Sequence, residues 1–131
     1  MDRPARVLVV DDTANVRALI RVNLELEGIE VHVACDGHEA LDMVDAVAPD
    51  LITMDVMMPG MDGLTAAARL KASPATAGIP IVMVTARAQA SDRRAGREAG
   101  ADAYLTKPFD PEELVSTVLD LLPAQVRPPG P

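Results

Sequence analysis

A doubly wound α/β fold, a (βα)5 sandwich with helices on both faces of a five-stranded parallel sheet, is predicted by three observations. Five short apolar runs punctuate the chain, segments of helical period separate them, and the two kinds alternate five times. Near-continuous apolar runs mark strands covered on both faces. Alternation of strand and helix implies parallel pairing through right-handed crossovers.

The first run is Arg6 to Val10 (RVLVV). A helix follows, marked by Val16, Leu19, Ile20, Asn23 and Leu24 at amphipathic spacing, with Gly28 placed to end it. Ile29 to Ala34 (IEVHVA) is more mixed and suits a strand nearer the sheet edge; the next helix is predicted from about Gly37 to Val47. Leu51 to Met54 (LITM) is the third strand, followed by a helix over Leu64 to Ala72. Ile79 to Val84 (IPIVMV) is the fourth, followed by a helix over Ser91 to Ala99. Ala103 to Thr106 (AYLT) is again short and mixed, and the last helix, Pro111 to Leu122, opens with proline at a first-turn position. Residues 1–122 therefore read as one domain. Residues 123–131, PAQVRPPGP, carry four prolines, cannot continue the helix, and read as a flexible tail or the start of a linker.

A chain of 131 residues, 49% of them hydrophobic, suffices for one domain with a real core. The net charge of −8 argues against direct nucleic-acid or membrane-surface binding, which needs a positive field, so the expected partners are proteins. The single cysteine, Cys35, cannot form an internal disulfide, and the start, MDRPARVLVVDD, is too short an apolar stretch for a signal peptide. No stretch approaches the roughly 20 apolar residues of a membrane span. A cytoplasmic location is expected.

Open parallel sheets build their sites at the carboxyl ends of the strands. Here those ends carry Asp11 and Asp12 (first strand), Asp55 (third), Thr85 (fourth) and Lys107 followed by Pro108 (fifth). Three crowded carboxylates repel one another unless a cation sits among them. Mg²⁺ suits such a set, because it takes oxygen ligands and leaves room for phosphate oxygens; Mn²⁺ is an alternative. A carboxylate can attack phosphorus directly while the metal and Lys107 offset charge on the equatorial oxygens. Asp55 stands alone on a central strand and is the best nucleophile, whereas the paired Asp11 and Asp12 suit the metal. Taken singly, each has a plainer reading. Asp12 or Thr13 can cap a helix, Asp55 can be a turn residue, Thr85 an ordinary strand residue and Lys107 a solvated charge. Their joint placement at four strand ends favours the site.

The motifs VLVVDD ending at Asp12, LITMDVMMPGMDG around Asp55, IVMVTA ending at Ala86 and GADAYLTKPF ending at Phe109 resemble those of the response-regulator receiver domains of two-component signalling, the CheY-like family, from about Arg6 to Leu122. The resemblance implies strand order 2-1-3-4-5. It makes Asp55 the phosphoacceptor, served by a histidine kinase or phosphotransfer protein in a phosphorelay. It implies that Asp12, Asp55 and the backbone carbonyl of Met57 bind Mg²⁺ directly, with Asp11 acting mainly through a water. Lys107 would contact phosphoryl oxygens, and the Lys107–Pro108 bond would be cis. It also couples Thr85 to Tyr104: on phosphorylation the Thr85 hydroxyl moves toward the phosphoryl group and Tyr104 turns inward, changing the surface of helix four, strand five and helix five that meets a downstream effector. Met57 and Arg87 would border the path of an attacking water, and neither is a good base, so self-dephosphorylation is expected to be slow. Such a domain is not otherwise an enzyme, and it is a monomer or a phosphorylation-dependent dimer.

Other features have plain readings. Met54, Met57, Met58 and Met61 read as packing. His32 and His38 lack ligand spacing with Cys35, and Arg93, Arg94 and Arg97 form a basic patch bordering the expected output surface. The output itself has two readings. Ala103 after Asp102 and a last helix, PEELVSTVLDLL, without Lys or Arg depart from winged-helix transcription factors of this class, and LKASPATAGIPIVMVTA looks more like receivers that stand alone or precede cyclic-dinucleotide synthases. A stand-alone receiver is therefore expected; a module of a larger regulator with such a synthase or a DNA-binding domain is the alternative. An aspartyl-phosphate phosphatase of the haloacid dehalogenase type would carry its nucleophile on the first strand as D-x-D, whereas this strand ends VVDDTA. A flavodoxin-like cofactor binder would need a phosphate-binding loop where DDTANV supplies acids.

Overall fold

The computed structural model describes residues 3–87 and 89–128. Ten elements alternate: β1 (Arg6–Val10), α1 (Ala14–Glu25), β2 (Glu30–Ala34), α2 (Gly37–Val47), β3 (Leu51–Met54), α3 (Gly63–Ala72), β4 (Ile81–Thr85), α4 (Ala90–Glu98), β5 (Ala103–Thr106) and α5 (Pro111–Leu121). All neighbouring strands pair in parallel in the order β2-β1-β3-β4-β5, which puts the two mixed runs at the edges.

Element ends differ from the sequence expectation by one or two residues. β4 begins at Ile81 rather than Ile79, because Pro80 has no N–H to give; its carbonyl still accepts from Ile52 N at 2.9 Å. It then runs on through Thr85. Side chains of Asp36, Asp62 and Asp110 cap α2, α3 and α5, which fixes where those helices start; such caps contribute about 1 kcal/mol each. α1 differs. Thr13 occupies its cap position without a side-chain bond, so the plainer reading of Thr13 or Asp12 as a side-chain cap does not hold.

Strand side chains alternate between two faces. Leu8, Val10, Ile52, Met54 and Met83 pack under α2 and α3, against Ala40, Val44, Ala67 and Leu70. Val7, Val9, Leu51, Val82 and Val84 pack under α1 and α5, against Ile20, Leu24, Leu114 and Val118. Met54, Met58 and Met61 are buried in the first of these layers, whereas Met57 is exposed. Past α5, Val126 packs on the second layer and Arg127 donates to the carbonyl of Leu122 at 2.9 Å, so residues 123–128 fold back onto the body. The tail's residues 129–131 lie outside the described residues.

Strand order positions the site. β1 is flanked by β2 and β3, so the chain turns to opposite sides around it, and a crevice opens at the carboxyl ends of β1 and β3. Val10 sits opposite Met54, and Asp55 N donates to Val10 O at 3.0 Å, which brings the next residues of both strands side by side.

Candidate functional site

Asp11, Asp12 and Asp55 each present a carboxylate oxygen to a common space, all within 4.8 Å of one another. Among the described residues this is the one such group of potential metal ligands. Asp11 and Asp55 are buried and Asp12 is exposed at the rim. Loop geometry fixes the two buried acids: Asp11 Oδ1 accepts from Thr13 N at 2.9 Å and Asp55 Oδ1 from Met57 N at 3.0 Å.

Lys107 reaches in from the end of β5. Its Nζ donates to Asp11 Oδ2 at 2.8 Å and Asp55 Oδ2 at 2.9 Å. Burial works to lower the Lys107 pKa, but the hydrogen bonds and charges of the two acids outweigh it and the value is raised. The ammonium is therefore fixed as a cation. Three carboxylates against one ammonium leave an excess of negative charge in a half-enclosed space, the condition a hard divalent ion relieves. The donor set fits Mg²⁺: oxygen atoms only, with one side open to solvent through Asp12. The Lys107–Pro108 bond is cis.

A cleft of about 400 Å³ opens beside the acids, with Asp12, Met57, Met58 and Arg87 on its walls. Met57 is 56% exposed there. Arg87 is turned aside, its Nε donating to Asp92 Oδ1 at 2.9 Å. Thr85 is fully buried, and its Oγ1 accepts from Arg87 N at 3.4 Å. Tyr104 is half-buried, with its hydroxyl donating to Arg87 O at 2.7 Å.

Asp11, Asp12, Asp55, Met57, Arg87 and Lys107 thus gather around one crevice, and Tyr104 borders it through the Arg87 carbonyl. Of the features given plain readings, Met57 and Met58 line the cleft, whereas the histidines and the cysteine lie away from it. His32 Nε2 lies 2.6 Å from Glu30 on the edge strand β2, and Cys35 and His38 are exposed. One contributor escaped sequence reasoning. Gly63 opens α3 directly behind the acid of β3; a Cβ there would run into the Asp55 carbonyl and come within 2.9 Å of Val56 Cα. Its signal was the final glycine of MMPGMDG, which only the close approach of helix and strand makes interpretable.

Comparison with known proteins agrees with this architecture. The family described as response regulator receiver domain matches residues 7–119. The chain is 43% identical over 117 residues to the DNA-binding dual master transcriptional regulator RpaA of Synechocystis, covering 89% of this chain and 48% of that protein. It is 46% identical over 117 residues to the response regulator MprA of Mycobacterium avium, covering 89% and 50%. The chain thus spans about half the length of these curated relatives. The solved structure of the chemotaxis protein CheY4 of Vibrio cholerae superimposes with a TM-score of 0.87 at 34% identity, covering 92% of this chain and 100% of that one.

Proposed function

The chain belongs to the response regulator receiver domain family, and from that premise we propose that it accepts a phosphoryl group on Asp55 and relays the event to the face formed by α4, β5 and α5. The donor is a phosphohistidine on a kinase or phosphotransfer protein. An Asp55 carboxylate oxygen bonds to phosphorus as the P–N bond breaks, and the departing imidazole keeps the electron pair and takes up a proton. The observation that carries this reading is Lys107 Nζ lying between Asp11 and Asp55 while Asp12 shares the same small space.

Asp11, Asp12, Asp55 and the carbonyl of Met57 would hold Mg²⁺, or Mn²⁺ in its place. When bound, that ion supplies positive charge to the phosphoryl oxygens. Lys107 offers them a second cation already fixed beside the nucleophile. The Asp55 oxygen bonded to Met57 N is oriented before any donor arrives, so little reorganisation remains. Thr85 stands ready to give its hydroxyl to the new anion, and Tyr104 answers by leaving its outward position. Phosphorylation biases this two-state shift. Met57 and Arg87 flank the approach for water, and neither is a base, which supports slow self-dephosphorylation. A lifetime of seconds for the phosphorylated protein would remove that part of the reading.

Beyond accepting that group, the domain's own catalysis is limited to self-phosphorylation from small donors and self-dephosphorylation, in the cytoplasm. A stand-alone receiver is one architecture. The half-length match to RpaA and MprA favours a second, in which these residues are the receiver of a longer regulator. The full reading frame decides between them, including whether an output domain touches DNA.

The test of the reading is incubation with acetyl phosphate and Mg²⁺ followed by intact mass. One phosphoryl group should be gained by the wild type, and none after chelation or in Asp55→Asn. Unlabelled wild type, or equal labelling of Asp55→Asn, contradicts it.

A further inference from the structure

Glycine inside a helix is disfavoured relative to alanine, yet Gly96 sits buried at the seventh of nine positions in helix α4. Space explains it. A Cβ at Gly96 would meet Cδ2 of Tyr104 at 2.9 Å and Cε2 at 3.0 Å, so the tyrosine ring lies directly on the bare helix backbone. Alanine would fit only if the ring moved.

Two further contacts hold the ring in that place, and a third anchors one of them. The Arg93 guanidinium carbon lies 5.3 Å from the ring centroid, within cation–π range. Arg93 is itself anchored, its NH2 donating to Thr106 Oγ1 on β5 at 3.0 Å. At the far end the Tyr104 hydroxyl donates to the carbonyl of Arg87 on the loop that follows Thr85. Burial, with a smaller contribution from Asp92, raises the phenol pKa above its ordinary value. Arg93 thus clamps the ring from one side while Gly96 leaves it a floor.

We propose that Gly96 and Arg93 are positioning residues that seat Tyr104 on α4 and so set how readily it leaves for the interior when Asp55 is phosphorylated. The proposal rests on the phosphorylation reading above. On this account the basic patch is divided. Arg93 acts inward on the switch, while Arg94 and Arg97, which are exposed and form no ion pair among the described residues, face outward.

The experiment uses Gly96→Ala, a change that favours the helix, together with Arg93→Ala. Tyr104 is the only tyrosine and the chain has no tryptophan, so tyrosine emission reports on this ring alone. Acrylamide quenching of that emission should fall in unphosphorylated Gly96→Ala as the ring turns inward, and fall less in Arg93→Ala. Affinity for beryllofluoride with Mg²⁺, a phosphoryl mimic, followed by fluorine NMR, should rise roughly 5-fold or more in Gly96→Ala, because coupling between ring and site is reciprocal. Quenching equal to or above wild type in Gly96→Ala overturns the seat. Wild type that binds no beryllofluoride removes the phosphorylation reading instead, and the quenching comparison then still decides whether Gly96 and Arg93 hold the ring.

Discussion

The two ends of the sheet use the same chemical groups to opposite effect. At the amino end Asp50 and Asp102 are matched. Asp50 takes both Arg3 nitrogens at 2.7 Å and Arg6 N at 2.8 Å, and Asp102 takes Ile81 N at 2.8 Å with Lys71 at 3.5 Å. At the carboxyl end three acids share one lysine. The amino end even has the larger recess, about 570 Å³ between Arg3, Gly28 and Val126, but its walls carry two arginines, Arg3 and Arg127, against the one acid Glu27. Matched charge ties strands and loops together, whereas surplus charge of one sign makes a place for a cation. Recess size decides neither.

The contrast is sharpest under substitution. Lys107→Ala would leave Asp11 and Asp55, 1% and 6% exposed, without their cation, and metal-free stability should drop by about 3 kcal/mol, as removing one partner of a buried pair does. Chemical denaturation with and without Mg²⁺ checks this; most of the loss should return with the metal. Asp50→Ala should cost about 2 kcal/mol by stranding Arg6 N, within the range for an orphaned backbone donor, and Mg²⁺ should restore none of it.

The Asp50 loss should also depend on pH. Burial opposes the shift, but the Arg3 bond and the Arg6 backbone bond outweigh it and hold this carboxyl below its ordinary value. Its contribution is therefore full above the unfolded pKa of about 3.9 and disappears as pH falls through the lower folded value. Lys107 has the opposite sign. Its raised pKa gives stability that is present below about 10.4 and lost as pH climbs through the folded value. Denaturation midpoints from pH 2 to 11 for wild type and both variants should show an acid limb missing in Asp50→Ala and an alkaline limb missing in Lys107→Ala.

Smaller effects separate the ends further. Asp12→Ala removes one of the repelling acids from an exposed position and should stabilise the metal-free domain by up to about 1 kcal/mol, the scale of an exposed charge pair, while reducing the gain from Mg²⁺. Thr53 belongs to neither end. Its Oγ1 is the buried side-chain polar atom without a partner among the described residues, and Thr53→Val, which keeps the shape, should raise stability by up to about 0.5 kcal/mol with an unchanged Mg²⁺ response. A loss of stability in that variant would mean that the hydroxyl has a partner after all.

How much of this was legible in the sequence follows the same division. Asp11, Asp12, Asp55 and Lys107 could be found because each stands at the end of a strand-like run, and a parallel sheet brings such ends together whatever lies between them. The amino end left no comparable sign. Arg3 and Asp50 meet across 47 residues through the packing of a chain terminus on a loop, which no local period encodes. The seat of Tyr104 was hidden for a related reason. Gly96 reads as a weak point in a helix until the rotation of α4 over β5 shows which ring fills the gap. Strand ends shifted where Pro80 and Thr85 sit, because hydrogen bonding rather than apolar content decides where a ladder stops.

Acid is in surplus at one end of the sheet and not at the other, and calorimetric titration with Mg²⁺ measures that directly. Wild type and Asp50→Ala should each bind one ion with the same affinity, and Asp12→Ala should bind at least roughly tenfold more weakly, about 1.4 kcal/mol. No saturable binding by the wild type, or undiminished binding by Asp12→Ala, would contradict it.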